Sequence, residues 1–208
     1  VRNIVLFSSG YAELGAAGAA AQRQLAAKTK AAGIRVLGPN CLGMMNVANQ
    51  VYATFSPAPN AGRVPLGRIG LVSQSGAFGA YAYSMARERG IGLSHWVTTG
   101  NEVDVQVADC IAWMATDPAT EVIMAYMEGC QDGARLCAAL QQAQNQRKPV
   151  VMVKVGTTAI GAAATVSHTA SLAGDDAVYD AIFARYGVLR AQTLTEFFDL
   201  AASVSIAG

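Results

Sequence analysis

Short apolar runs alternate with helix-length segments along almost the whole chain, which is the pattern of a parallel α/β sheet covered by helices on both faces. The runs Ile4–Phe7, Ile34–Leu37, Arg68–Val72, His95–Thr98, Val122–Met127, Val150–Val155 and Val188–Arg190 are predicted as strands. Between them, Leu136, Leu140 and Ala143 fall at helical spacing behind Asp132, a side chain suited to cap the first turn. Thr193-Leu194-Thr195-Glu196 reads as a capping box that opens a helix with Phe197, Leu200, Ala201 and Val204 on one face. Arg87 and Arg89 before Gly90 read as a solvated helix end, where cations suit the dipole and glycine the left-handed position.

One stretch breaks the alternation. Residues 56–68, Ser-Pro-Ala-Pro-Asn-Ala-Gly-Arg-Val-Pro-Leu-Gly-Arg, hold three of the six prolines and continue neither a helix nor a central strand. A boundary is therefore expected at 56–67, with 68–208 a full βα series and 1–55 too short to close a core alone. The chain opens at Val1 directly in a strand-like run without a signal segment, so a piece of something longer is expected.

Composition narrows the function classes. Charged residues are only 14% and hydrophobic ones 52%, which excludes a disordered tail. A net charge of +1 without a basic stripe argues against nucleic acid, and polar or glycine residues interrupt every apolar run before it could span a membrane. Cysteines 41, 110, 130 and 137 lack metal or redox spacing, so they are expected to be reduced and mostly buried, in a cytoplasmic protein with no metal site of its own.

Candidate chemistry lies in the turns that follow strands: Ser8-Ser9-Gly10, Gly38-Pro39-Asn40-Cys41, Ser73-Gln74-Ser75-Gly76 and Gly100-Asn101-Glu102. In an open parallel sheet, ligands bind at the carboxyl ends of strands, where helix N-termini offer free N–H groups. The small residues of Ser75-Gly76-Ala77 make the sharpest anion site. Ser73 stands where a hydrolase nucleophile elbow needs glycine, and no Gly-Lys-Ser/Thr follows as a P-loop requires. His95, beside Trp96, reads as a packed or edge histidine. His168 lies in a loop of small residues and is either an ordinary loop histidine or a nucleophile that carries a phosphoryl group. Glu128, at a strand end, is either a surface acid capping the next helix or a carboxylate of the site. Asp104, Asp109 and Asp117 read as helix-associated charges, and Lys154 as a buried or snorkelling cation.

Taken in order, Gly38-Pro39-Asn40-Cys41-Leu42-Gly43, Ser73-Gln74-Ser75-Gly76-Ala77, Gly100-Asn101-Glu102-Val103-Asp104, Asp117-Pro118, Tyr126-Met127-Glu128-Gly129, Lys148-Pro149-Val150-Val151 and Ser167-His168-Thr169 resemble the NDP-forming acyl-CoA synthetases, among them the ADP-forming acetyl-CoA synthetases and the succinyl-CoA synthetase α subunit. The resemblance implies a flavodoxin-like domain over 68–208, preceded in 1–55 by the end of a Rossmann-like CoA-binding domain. It implies that a carboxylic acid, CoA and ATP give acyl-CoA, ADP and phosphate through an acyl phosphate and a phosphohistidine. His168 would be that histidine and Glu128 its stabilising carboxylate, Ser75, Gly76 and Ala77 would receive phosphate, and Gly38, Pro39, Asn40 and Cys41 would lie near CoA. ATP/ADP and its Mg would be bound by an ATP-grasp domain or subunit, within a homo- or hetero-oligomer. The first part of the CoA site and the ATP-grasp part are not recognisable in this chain, so it is expected to be inactive alone. The competing expectation is a non-enzymatic module that binds CoA or phosphate, or regulates, on the same scaffold. A lysine acetyltransferase would require an appended domain.

Overall fold

The fold is described from a computed structural model, for residues 1–156 and 176–207; His168 lies outside the described residues. Strands β1 (Asn3–Val5) and β2 (Arg35–Leu37) flank helix α1 (Ala16–Ala31) in sequence and pair in parallel, Asn3 with Arg35 through Val5 with Leu37. Two short strands follow, β3 (Gly43–Asn46) and β4 (Val51–Thr54). The βα series is then β5 (Leu66–Ser73), α2 (Gly76–Glu88), β6 (Leu93–Thr98), α3 (Val107–Thr116), β7 (Val122–Met127), α4 (Gly133–Asn145) and β8 (Val150–Lys154). Helix α5 (Asp176–Tyr186), strand β9 (Leu189–Arg190) and helix α6 (Leu194–Ala207) complete it.

Among the described residues, the larger sheet has seven strands in the order β4-β3-β6-β5-β7-β8-β9. Strand β3 runs antiparallel to both β4 and β6, and the remaining pairs are parallel, so the sheet is mixed but mostly parallel. The hairpin was not expected from the sequence, where each strand is a four-residue run beside the turn residues Asn46, Asn49 and Gln50. Its two strands belong to the larger sheet. The hydrogen-bonded sheet continues across residues 56–67, and the change of sheet falls between β2 and β3 instead. The prolines break local pairing, with residues 58–61 in a 3-10 turn, but the chain returns to the same sheet. Buried Val64 is tied down by its N–H, which donates to the Tyr83 hydroxyl on α2 at 3.1 Å.

The core strands are apolar throughout because both faces are covered. Val72, Ile123, Ala125, Met127, Val150 and Met152 face α3, α4 and α5, whereas Leu71, Trp96, Val122, Met124, Val151 and Val153 face α2 and α6. The period of two thus divides each strand between two cores. The helix starts follow the expected chemistry. Asp132 accepts from the Arg135 N–H at 3.0 Å, and Thr193 accepts from the Glu196 N–H at 3.1 Å. Glu196 bonds back to the Gln192 N–H at 2.8 Å rather than to Thr193. Among the described residues, no helix is long and apolar enough to cross a membrane.

His95 is packed, as expected, but inside β6 rather than at its edge, and is 2% exposed. Its Nδ1 lies 3.4 Å from Asp117 and its ring meets Trp113 edge-on, while Nε2 is buried without an acceptor. Burial lowers its pKa and Asp117 only partly opposes this. The unfolded chain therefore binds the extra proton first, and the stability held above the ordinary histidine pKa falls as pH drops through and below about 6.5. In urea titrations, this part of the acid slope should be absent in His95→Gln; an unchanged slope would show that His95 does not contribute it.

Candidate functional site

The parallel strands β5, β6 and β7 end side by side, so the turns after them, and the N-termini of α2, α3 and α4, collect on one edge of the sheet. The main chain joins these turns directly. The Gln74 N–H donates to Tyr126 O at 3.0 Å, the Thr99 N–H to Ser73 O at 2.9 Å and the Gly100 N–H to Gln74 O at 3.1 Å.

The side chain of Gln74 ties the edge together. Its Oε1 accepts from the Glu128 N–H at 2.7 Å and the Gly129 N–H at 3.0 Å, so the two donors fix which end of the amide is oxygen. Its Nε2 must then donate, and does so to Glu102 Oε2 at 3.0 Å. The other Glu102 oxygen accepts from the Thr99 hydroxyl at 2.9 Å and from the Val107 N–H at 2.7 Å, in the first turn of α3. Glu102 is 3% exposed, and burial pushes its carboxyl up to about 7 against the pull of these three donors.

Glu128 is held from both sides. While Gln74 takes its N–H, its carbonyl accepts from Lys154 Nζ at 2.9 Å. Lys154 also donates to Val155 O and lies over the Tyr179 ring, 4.8 Å from its centre. Burial lowers the Lys154 pKa, opposed by nearby Asp176 and Glu128. Glu128 itself is 8% exposed and the α4 cap is Asp132, which removes the reading of Glu128 as a surface capping acid.

The segment Gly38-Pro39-Asn40-Cys41 is clamped onto the same edge. The Asn101 N–H donates to Pro39 O at 2.9 Å, the Val103 N–H to Gly38 O at 3.0 Å, and Asn40 Nδ2 to Asn101 Oδ1 at 3.2 Å. The fit is close enough to require glycine at 100: φ is +61°, and a Cβ there would come within 2.3 Å of Pro39 O. Asn101 Nδ2 also donates to Glu13 and, at 3.0 Å, to Gln22. Burial alone would raise the Glu13 carboxyl, but bonds from Asn101 and from the Gly10 and Tyr11 N–H groups outweigh it and hold its pKa low. Asp104, expected as a helix charge, instead ties β2 to this loop by accepting from the Val36 N–H and Arg35 Nε, each at 2.8 Å. Asp109 sits in the first turn of α3 and Asp117 caps its end, as expected.

Ser75 caps α2, accepting from the Phe78 N–H at 3.3 Å, and Gly76 packs against Leu42 so closely that a Cβ would lie 3.0 Å from Leu42 Cγ. Ser75-Gly76-Ala77, Glu128-Gly129 and the 38–42 segment are thus adjacent. Cys41 is 2% exposed, with its thiol pushed up to about 11 by burial, so it fills space beside the site and is not a thiolate. Among the described residues, no group of three or more His, Cys, Asp or Glu could hold a metal ion.

Residues 66–204 match the family model of the succinyl-CoA ligase like flavodoxin domain. The chain is 39% identical over 99% of its length to the α subunit of acetate–CoA ligase [ADP-forming] I of Pyrococcus furiosus, covering 43% of that protein. The chain belongs to the ADP-forming acetyl-CoA ligase family. Another relative, acetate–CoA ligase [ADP-forming] I of Archaeoglobus fulgidus, is 39% identical over 97% of this chain and 29% of its own length. The acetyl-coenzyme A synthetase 1 of Ca. Korarchaeum cryptofilum, solved in complex with phosphate and ADP, superposes with a TM-score of 0.90 at 33% identity, over 99% of this chain and 43% of that one. This ligase-family chain therefore spans less than half the length of each of these relatives.

Asn101→Ala should free the clamp between the β1–α1–β2 unit and the strand ends. We expect a loss of roughly 1–3 kcal/mol in unfolding free energy, with faster amide exchange in residues 1–42 and unchanged exchange in β5 and β7. Uniform loss of protection across both sheets would contradict the clamp.

Proposed function

We propose that this chain is the part of an ADP-forming acyl-CoA synthetase that passes a phosphoryl group between an acyl phosphate and a histidine. The observation that carries the reading is the placement of the α2 N-terminus and the Glu128 turn at the carboxyl ends of neighbouring parallel strands, in a member of this ligase family. Ser75, Gly76 and Ala77 offer N–H groups and the positive end of a 13-residue helix to phosphate, with no acidic residue in that first turn. The 38–41 segment, with the parallel β1–β2 pair before it, would present CoA from the end of a Rossmann-like unit.

In the synthetic direction, His168 would hold the phosphoryl group taken from ATP on an ATP-grasp domain or subunit. A carboxylate oxygen of the acid attacks the phosphorus, the nitrogen–phosphorus bond breaks, and acyl phosphate forms. The CoA thiolate then attacks the acyl carbon and phosphate leaves. Glu128 would orient His168 and offset its positive charge while phosphorylated. A helix N-terminus that accepts phosphate in one step can hold the leaving phosphate in the other, since free N–H groups and a dipole bind both without a cation.

With the nucleotide-binding part supplied, phosphate from labelled ATP should appear on His168 as an acid-labile, alkali-stable bond. His168→Ala should abolish it, and Glu128→Gln should slow it by about 100-fold or more. An acid-stable label on Ser75, or undiminished transfer in His168→Ala, would defeat the assignment. A chain that binds phosphate or CoA but never becomes labelled would favour a binding module.

Ala77→Asp tests the phosphate site. A carboxylate in the first turn should leave the melting temperature unchanged or slightly raised while weakening phosphate binding by about tenfold or more. Unaltered phosphate affinity in titration calorimetry would place the anion elsewhere.

A further inference from the structure

Two buried side chains at this edge have no part in the chemistry just described. Gln74 takes both N–H groups of the Glu128–Gly129 turn, and its orientation is anchored by donation to Glu102. Three groups hydrogen-bond the Glu102 carboxylate: Thr99 Oγ1, the Val107 N–H and Gln74 Nε2. This arrangement satisfies a carboxylate. A carboxyl protonated on Oε2 would present its hydrogen where Gln74 Nε2, which can only donate, already points, and Gln74 cannot rotate in response without turning its own NH2 against two backbone donors.

We propose that Glu102 and Gln74 are positioning residues that form a protonation-controlled latch on the Glu128 turn: ionised Glu102 locks the Gln74 amide and hence the turn, and protonated Glu102 releases it. The inference rests on the proposed role of Glu128 for its functional meaning, though not for its test. The carboxyl lies where burial raises its pKa to about 7, so the latch changes state around neutrality rather than in acid. The charged and titratable groups around Glu102 leave it as the group that switches. On α3, Asp109 adds to the upward shift, and Cys110 is held protonated by burial. In the turn after β7, Cys130 is also raised. Across a cleft of about 410 Å³, Lys30, Arg35, Asp104 and Arg135 lie on the exposed side, with Arg35 paired to Asp104 and Arg135 to Asp109. The direction is fixed by the donors: the turn is ordered above the midpoint and loosened below it.

The test uses amide resonances of Glu128 and Gly129 in the nitrogen-15-labelled chain, from about pH 5 to about pH 9. Both should titrate with one midpoint near 7, and their exchange protection, corrected for intrinsic rate, should fall about tenfold from high to low pH, as for one buried hydrogen bond lost. Glu102→Gln places an NH2 against either Gln74 Nε2 or the Val107 N–H and should leave the turn looser at every pH, without the midpoint. Should that variant fail to fold, Thr99→Val removes one of the carboxylate's donors and should move the midpoint upward. A midpoint that survives Glu102→Gln, fails to move in Thr99→Val, or is absent from the wild-type amides would overturn the latch. None of these readouts needs phosphoryl transfer, so failure of the latch and failure of the proposed function are separable.

Discussion

A primary amide buried at a strand end costs free energy unless each of its polar atoms has a partner, and Gln74 finds its partners in two different turns. Its oxygen closes the turn after β7 and its nitrogen reaches the carboxylate in the turn after β6. The main chain of Gln74 adds a bond to each: its N–H to Tyr126 O and its carbonyl from the Gly100 N–H. Three neighbouring strand ends are thereby held by one residue. Because the α2 N-terminus begins immediately after it, the same residue sets where Ser75, Gly76 and Ala77 stand relative to Glu128.

The chain applies this economy elsewhere at the edge. With charged residues at only 14%, it holds its turns at this edge mainly by backbone groups and amides. Lys154 is taken up by the carbonyls of Glu128 and Val155 and by the Tyr179 ring, so the peptide of Glu128 is pinned from the side opposite Gln74. Asn101 performs the linking task toward the N-terminal unit. Its backbone bonds to Pro39 and its amide reaches Asn40, Glu13 and Gln22, joining a two-stranded sheet to the edge of a seven-stranded one without a shared strand. A phosphate at such an edge would meet oriented dipoles that need no reorganisation, which is the form of stabilisation suited to a group that arrives and leaves in successive steps.

The parts of this that were legible in the sequence depend on periodicity and on local chemistry. Val122–Met127 was delimited as found because both of its faces are apolar and Glu128 ends it. Asp132 and Thr193 were recognisable as caps because a cap acts within three residues of itself. The hairpin of Gly43–Asn46 and Val51–Thr54 was not, since four-residue strands carry little periodicity and the pairing of β3 with β6 joins residues some fifty positions apart, as in Met45 with Trp96. The prolines of 56–67 then suggested a break between sheets where there is only a break in local pairing. Gln74 and Glu102 were visible only as turn residues. Nothing local distinguishes a buried Glu or Gln from a solvated one: the distinction comes from Thr99, Val107 and Glu128–Gly129, brought in by the crossovers.

Gln74 and Glu102 should act as one unit in holding the strand ends together. A double-mutant cycle with Gln74→Ala, Glu102→Ala and the pair, measured by urea unfolding at about pH 8 where the carboxylate is ionised, tests this most directly. The expected coupling is roughly 1–3 kcal/mol, because either single substitution leaves the other side chain buried without its partner. Additivity to within about 0.5 kcal/mol would mean that the two side chains contribute independently and would contradict it.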